Sequence, residues 1–299
     1  MTKRRRTARA EIGIIGGSGL YDIDGLHQVK RVTVSTPFGS PSSPVVLGEL
    51  DGVRVAFLSR HGQGHRFSPS EINYRANMYA LKAIGVRRVV SVSAVGSMKE
   101  SMKPGEVVLP DQFIDLTKRR SSTFFEGGVV AHVAFADPVC ASLAASLLGA
   151  GRSVGAVVHQ GGTYLFMEGP QFSTKAESQL YRQWGVSVIG MTNLPEAKLA
   201  REAELCYATV ALVTDYDCWH HTEEPVTVEA ILATLCRNVA MAKRLLRAAV
   251  KSAASVTVCP CHQALQHAIV TAPEAIPPAL RRKLALLTER VLPLGKGKR

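Results

Sequence analysis

The feature that most constrains the fold is a series of short, apolar, β-branched segments, separated by stretches with a helical pattern. These segments cover residues 12–17, 44–50, 53–60, 88–96, 105–110, 186–191 and 206–214. Several are apolar at nearly every position rather than at alternate ones, as in strands that are covered on both faces. Strands of this kind that alternate with helices predict an α/β fold with a mixed, mostly parallel central sheet flanked by helices.

Three capping boxes predict where helices begin, because each pairs an N-cap residue with a Glu three positions later. The pairs are Ser68 with Glu71, Thr174 with Glu177, and Asn193 with Glu196. The longest helix is predicted over residues 228–250, which carry an apolar stripe on one face. At 299 residues, the chain can form one large domain or two smaller ones.

The net charge of +12 is concentrated at the two ends of the chain. Residues 1–10 carry +5 and residues 281–299 carry +6, which leaves +1 for residues 11–280. Neither end interleaves aromatic residues for stacking on bases, so we interpret both as accessory tails and do not expect nucleic acid as a partner. Glu11 interrupts a possible signal peptide, and no apolar run approaches the roughly 18 residues of a membrane span. We therefore expect a cytoplasmic protein without a membrane partner.

The six cysteines give little sign of a metal site. Only Cys259 and Cys261 are close in sequence, and a single C-x-C pair is a poor zinc signature even with His262 beside it. We therefore predict no metal ligands, and we interpret the other cysteines as buried, unpaired thiols.

Polar residues collect directly after the predicted strands, where ligands bind in α/β sheets. They are Ser18, Arg60, His61, His65, Ser93, Thr192, Asp215 and Asp217. The glycines of residues 13–19 do not fit the G-x-G-x-x-G pattern of a dinucleotide site. Two interpretations of that segment stay open: a turn whose amides and Ser18 hydroxyl face an anion, or a turn with no ligand.

Arg60 and His61 form the centre of a predicted anion site. Arginine offers a forked donor to phosphate oxygens, histidine adds another donor, and the glycines at 62 and 64 let the backbone approach a ligand. Ser93 and Ala94 can add a hydroxyl and an amide. Because the chain lacks a P-loop lysine motif, the pattern favours free phosphate over a nucleoside triphosphate.

The segment "ALVTDYDCW" at 211–219 places two carboxylates at the end of a buried strand. Residues two apart on a strand point to the same side, about 7 Å apart, so Asp215 and Asp217 face one pocket if the strand continues. An ionised carboxylate can accept from the 6-amino group of adenine, and a protonated one can donate to N7. Such a carboxyl with a raised pKa is a suitable general acid for a departing purine. The alternative is that one aspartate only caps a turn.

Several long motifs occur in an order that resembles the trimeric purine nucleoside phosphorylases, and among them the members that act on 5′-methylthioadenosine. The motifs are "GIIGGSGLYD", "TPFGSPS", "RHGQGH", "NYRANMYALK", "DQFID", "EGPQFSTKAES", "MTNLPEAKLAREAELCYA" and "TDYDCW". The resemblance implies a single nucleoside phosphorylase domain over residues 11–254. Residues 1–10 would be a basic N-terminal tail, and residues 255–299 a C-terminal extension with the CPC motif, a basic helix and a tail.

The resemblance also implies the roles of individual residues. Its phosphate site corresponds to Ser18, Arg60, His61, Ser93, Ala94 and Thr192. Its nucleoside site corresponds to Met191 under the ribose, Phe172 and Ile189 against the base, and Asp215 and Asp217 at the N7 and amino edge. Family members that act on 6-oxopurines carry Glu where Ser173 stands and Asn where Asp215 stands, so these two residues favour adenine.

A methylthio pocket is implied at His65, His132 and Val228, closed by the C-terminal segment of a neighbouring subunit. We therefore expect a homotrimer or a dimer of trimers, with inorganic phosphate as co-substrate and no cofactor. The expected reaction is phosphorolysis of 5′-methylthioadenosine. The alternatives are a phosphorylase for adenosine, methylthioinosine or another purine nucleoside, and a hydrolase. Some thermophilic relatives form disulfides at a C-x-C and at cysteines that resemble Cys140 and Cys206, but the state of these cysteines here stays open.

Overall fold

The computed structural model describes residues 10–17, 20, 22–220, 228–255 and 258–292, and within these ranges it leaves out the side chains of residues 228–233 and 235. In this part of the chain, eleven strands form one sheet. The strands are β1 (Ile12–Gly16), β2 (Leu26–Val32), β3 (Val45–Leu50), β4 (Val53–Ser59), β5 (Arg88–Ser97), β6 (Val107–Leu109), β7 (Gln112–Asp115), β8 (Val158–Gln160), β9 (Thr163–Phe166), β10 (Val188–Gly190) and β11 (Cys206–Asp215). The helices are α1 (Tyr74–Ala83), α2 (Ala141–Ser153), α3 (Lys175–Gln183), α4 (Asn193–Glu202), α5 (Val228–Ser255) and α6 (Pro278–Thr288).

The predicted fold class is confirmed. Each of the seven apolar segments contains a strand, and six of the ten strand pairings are parallel. β1 lies between β4 and β5 with both pairings parallel, and β11 is also parallel to β5. The carboxyl ends of these four strands therefore meet at one edge of the sheet. β10 runs antiparallel to β5 and brings the residues that follow it back along that strand.

The helices cover both faces of the sheet. On one face, α1, α4 and α6 bury Met78, Leu199 and Leu284 in one apolar cluster. On the other face, α2 and α5 bury Leu147 and Leu245 in a second cluster. Helix α6 belongs to the predicted C-terminal extension and shares the core of the main sheet. Among the residues described, none forms a helix that is both long and apolar enough to cross a membrane.

The first predicted capping box does not start a helix. Ser68 does bond to Glu71 through its backbone N–H (2.9 Å) and its hydroxyl (2.6 Å), but these bonds only close a turn. Helix α1 begins five residues later, at Asn73, whose side chain accepts the Ala76 N–H. Asparagine is among the best N-cap residues, and here it lies directly before the first helical turn.

The second capping box is confirmed and the third is wrong. Thr174 and Glu177 make both bonds of the box at the start of α3. At α4, however, Thr192 is the N-cap but its side chain makes no capping bond to the helix backbone, and the Glu196 side chain turns into the core. It pairs there with Arg60, because a buried guanidinium requires a counter-charge more than a helix end requires a cap. The long helix is confirmed, and α5 continues to Ser255.

Candidate active site

Arg60 follows β4 and is tied to the end of β1 by its backbone N–H, which donates to the Gly16 carbonyl at 3.0 Å. Its side chain is 2% exposed and bonds to protein groups on three sides. Nε and Nη2 donate to the Glu196 carboxylate at 2.5 and 3.2 Å, and Nη2 also donates to the Ser91 hydroxyl at 2.6 Å. Nη1 donates to the Val92 carbonyl at 2.9 Å.

These four bonds use four of the five N–H groups of the guanidinium. Among the described residues, one N–H on Nη1 is left for an external anion, instead of the free fork that the sequence suggested. Burial acts to lower the pKa of Arg60, but the charge and hydrogen bonds of Glu196 outweigh it and hold that pKa above its ordinary value. Arg60 therefore reaches the site as a charged but already compensated group.

His61 is held in one tautomer by its backbone partner. Its Nδ1 lies 2.9 Å from the Phe67 carbonyl oxygen, and since a carbonyl only accepts, Nδ1 carries the hydrogen. Burial, with the charge of Arg60, lowers the pKa of His61 to about 4, so the ring is neutral near pH 7 and Nε2 is an acceptor. The ring stacks on His65 with centroids 4.0 Å apart. His61 can thus accept a hydrogen bond from a protonated phosphate oxygen.

Ser93 and Thr192 are brought together around the buried hydroxyl of Tyr164. The Ser93 hydroxyl lies 3.4 Å from Tyr164 Oη, and Thr192 also bonds to that group. Burial raises the pKa of Tyr164 to about 12, so its hydroxyl keeps its proton. Ser93 and Ala94 lie inside β5 rather than after it, because this strand runs four residues beyond Ser93. Ala94 is exposed between buried neighbours, so it faces open space at this edge.

The two aspartates do not continue the strand as the sequence suggested. The register of β11 shifts between Val213 and Asp215, and Asp217 begins a 3₁₀ turn with φ +55°. The alternation of a strand therefore stops at Asp215. The turn nevertheless joins the two residues, because the Asp217 backbone N–H donates to Asp215 Oδ1 at 2.8 Å.

The pKa of each carboxyl lies above its ordinary value. Burial raises the pKa of Asp215, and hydrogen bonds from the Thr214 hydroxyl (2.7 Å) and from Asp217 partly oppose it. Burial also raises the pKa of Asp217; the Ser178 hydroxyl, 2.5 Å away, opposes this, and the charge of Asp215 adds to it. Asp215 thus carries donors on both oxygens, which suit it to receive negative charge after it gives up a proton.

Gly96 links the carboxylates to the anion residues along β5. A methyl group at this position would lie 3.0 Å from Asp215 Oδ1 and 3.2 Å from Ile189 Cγ2. Gly96 comes three residues after Ser93 on the strand, a rise of about 10 Å. Asp215 therefore lies about 10 Å along β5 from Ser93, a separation comparable with the length of a nucleoside.

The residues expected around a nucleoside are held by groups that the sequence did not single out. Arg120, whose side chain is 1% exposed, donates to the carbonyls of Met191 (2.5 Å) and Leu194 (2.8 Å) and fixes the turn after β10. The Ser173 carbonyl accepts from Cys218 Sγ at 3.4 Å, which joins its loop to the turn of Asp217. In the same loop, the ring of Phe172 is 60% exposed.

Three predicted site residues are not placed with the rest. His132 donates its backbone N–H to the Ala268 carbonyl at 2.8 Å, and no contact among the described residues joins it to Asp215, Asp217 or Arg60. Val228 begins α5, but its side chain lies outside the described part of the structure. Ser18 also lies outside the described residues.

The sequence was compared with families and curated proteins. Residues 11–251 match the phosphorylase superfamily. The chain belongs to this superfamily. Its similar proteins include the S-methyl-5′-thioadenosine phosphorylase of Geobacter sulfurreducens, 59% identical over 92% of this chain and 97% of that protein. The enzyme of the same name from Koribacter versatilis is 57% identical over 93% of this chain and 96% of that protein.

Solved structures of the superfamily agree with this assignment. A methylthioadenosine phosphorylase from an Antarctic soil metagenomic library has a TM-score of 0.90 and 52% identity, covering 93% of this chain and 99% of its own. The methylthioadenosine phosphorylase from Schistosoma mansoni in complex with adenine has a TM-score of 0.78 and 37% identity, covering 81% and 91%. The fold of this chain is therefore that of a nucleoside phosphorylase.

Proposed function

We propose that the chain catalyses phosphorolysis of 5′-methylthioadenosine, which yields adenine and 5-methylthioribose 1-phosphate. The observation that carries this proposal is the pair of carboxyls, half-buried Asp215 and buried Asp217, about one nucleoside length along β5 from the anion residues. The choice of substrate is supported by relatives that are 51–59% identical and share the name S-methyl-5′-thioadenosine phosphorylase.

Asp215 acts as the general acid in this proposal. A purine leaves a ribosyl carbon as a poor anion unless N7 receives a proton, and a carboxyl with a raised pKa can supply it. The Thr214 hydroxyl and the Asp217 N–H already point at the two oxygens of Asp215, so the carboxylate that results is stabilised without reorganisation. Ionised Asp217 accepts from the 6-amino group of the base.

In this proposal the phosphate binds to the hydroxyls of Ser18, Ser93 and Thr192, the Ala94 amide and the remaining N–H of Arg60. His61 accepts from a phosphate O–H through Nε2. Because Glu196 already balances the charge of Arg60, the bound phosphate keeps most of its negative charge. That charge stabilises the oxocarbenium-like sugar at the transition state, and a phosphate oxygen attacks its anomeric carbon.

The methylthio group is assigned to a pocket of His65, His132 and Val228, with Phe172, Ile189 and Met191 around the base and ribose. The chain on either side of the bridge between Ala131 and Ile269, here called the ribbon, includes His132. On the ribbon Val130 is 46% and Val270 61% exposed, and this apolar edge suits a contact with a neighbouring copy. We therefore propose a homotrimer or a dimer of trimers in which this ribbon reaches a neighbour's site. Light scattering should give a mass of three or six chains, and a fully active monomer would contradict it.

The proposed location is the cytoplasm, and the proposed chemistry uses phosphate as co-substrate and no cofactor. All six cysteines are unpaired, which fits a reducing compartment. The reaction as written needs only a proton from Asp215 and an attacking phosphate oxygen. Catalysis after exhaustive dialysis against a chelator, with phosphate restored, should therefore be unchanged.

An adenine-release assay tests the reaction type and the substrate together. We expect release from 5′-methylthioadenosine that depends on added phosphate, slower release from adenosine, and little turnover of methylthioinosine or inosine. Base release that continues at the same rate without phosphate would identify a hydrolase. A preference for the two 6-oxopurine nucleosides would contradict the assignment of Asp215 and Ser173.

A further inference from the structure

Four cysteines from three distant parts of the chain meet at the start of β11. Cys140 is the N-cap of α2, and Cys206 begins β11. Cys259 directly precedes the 3₁₀ turn Pro260–Gln263, and Cys261 lies within it. Their four Sγ atoms all lie within 4.8 Å of one another, and Cys140 and Cys259 approach to 3.6 Å. Three of the four are buried, and no two of them form a disulfide.

This arrangement has the size of a tetrahedral thiolate site. Zinc binds Cys sulfur at about 2.3 Å, so four sulfurs around one ion lie about 3.8 Å apart. The sulfur separations of the cluster surround that value and are far longer than the S–S bond of a disulfide. Four sulfur ligands and no oxygen ligand select a soft or borderline metal ion such as Zn²⁺ over Mg²⁺ or Ca²⁺.

A histidine next to the cluster is oriented as a donor toward sulfur. Arg87 Nη2 lies 3.0 Å from His262 Nδ1, and since a guanidinium only donates, Nδ1 is the acceptor. With Nδ1 as the acceptor, the ring hydrogen is on Nε2. Nε2 lies 3.5 Å from Cys206 Sγ. An N–H that points at a sulfur is the usual outer-shell support of a metal thiolate.

A buried cation, Arg88, lies beside the cluster, because β5 pairs it with Cys206 of β11. Arg88 is 3% exposed, and its Nε has no hydrogen-bond partner within the described part of the chain. One Zn²⁺ with four thiolates carries a net charge of −2, which Arg87 and Arg88 would balance.

We propose that Cys140, Cys206, Cys259 and Cys261 bind one Zn²⁺ ion per chain as four thiolates, with the thiol protons released to solvent. With four protein ligands, the site has no open position, so its role is structural. Cys206 and Asp215 begin and end the same ten-residue strand, about 30 Å apart, so the ion lies far from the nucleoside site. It would fasten the segment around Cys259 to α2 and β11.

Metal analysis of the full-length protein tests this proposal. The chain is produced in zinc-containing medium, purified under reducing conditions and analysed by plasma mass spectrometry and intact mass. We expect about one zinc per chain, and expect Co²⁺ in its place to give the sulfur-to-cobalt charge-transfer bands of a tetrahedral thiolate. Cys140→Ser should lose most of the metal. Cys236→Ser, an exposed cysteine outside the cluster, should keep it.

Removal of the ion separates a structural site from adventitious binding. Strong chelation should lower the Tm by roughly 5 °C or more, while phosphate-dependent adenine release at 25 °C continues. A metal-free protein with four titratable cluster thiols, or one lighter by the mass of two or four hydrogens through disulfides, would overturn the proposal. So would zinc that stays bound in Cys140→Ser. If that variant does not fold, the cobalt spectrum of the unmodified chain decides.

Discussion

Thr214→Val should raise the pKa of Asp215, the proposed general acid, with little change in the shape of its site. Thr214 is buried, and its hydroxyl donates to Asp215 Oδ2 at 2.7 Å. A hydrogen bond to a charged group contributes about 1.5–3 kcal/mol, and a difference of one pKa unit corresponds to about 1.4 kcal/mol. Because the bond is stronger to the ionised carboxylate than to the protonated acid, its loss should raise the pKa of Asp215 further, by roughly one to two pKa units.

The assay is the pH dependence of kcat for phosphate-dependent adenine release from 5′-methylthioadenosine. The alkaline limb, where Asp215 loses its proton, should move to higher pH by roughly one to two pH units in Thr214→Val. Thr214→Ser keeps the hydroxyl and should follow the unmodified enzyme. The reasoning is refuted if the limb stays in place in Thr214→Val while the variant retains its fold, because Thr214 would then not control the proton of Asp215.

Two buried carboxyls, Glu196 and Glu202, and the glycine at 96 give three further predictions. Glu196→Gln leaves the Arg60 guanidinium buried without its counter-charge and should lower the free energy of unfolding by about 3–5 kcal/mol; a loss under about 1 kcal/mol in urea denaturation would contradict it. Burial raises the pKa of Glu202 to about 7, so the stability this carboxyl gives at low pH is lost as the pH rises through that value. Glu202→Gln should therefore remove this loss and melt higher at pH 8, and a Tm-against-pH curve with an unchanged slope would oppose it. Gly96→Ala puts a methyl group 3.0 Å from Asp215 Oδ1 and should raise the KM of the nucleoside about 10-fold but not that of phosphate; equal changes in both would contradict it.

The sheet was predictable where its strands are buried on both faces. β1, β4, β5 and β11 are apolar runs whose burial fixes both their type and their place near the centre of the sheet. The edge strand β2, Leu26–Val32, gives no such signal because five of its seven residues are exposed. The strands β8 and β9 are only three and four residues long and lie on either side of two glycines, which is too short for a periodicity to appear.

Candidate site residues could be predicted where their proposed role follows from one stretch of sequence. Asp215 and Asp217 were predicted by their position after a strand, although the turn that joins them was not. The partners that tune the site come from far along the chain: Glu196 is 136 residues from Arg60. Locally, Glu196 has the spacing of a capping box, so only the fold shows that it neutralises an arginine. The cysteine cluster was missed for the same reason, since Cys140 and Cys206 have no neighbouring ligand in the sequence.

The most direct test of the proposed chemistry is the base preference of Asp215→Asn. The quantity to measure is the ratio of kcat/KM for 5′-methylthioadenosine to that for methylthioinosine, with phosphate saturating. An asparagine side chain cannot give a proton to N7, but its amide can donate to the O6 of a 6-oxopurine. The ratio should fall by about 100-fold or more. A ratio that stays at the value of the unmodified enzyme would show that Asp215 does not act on the base.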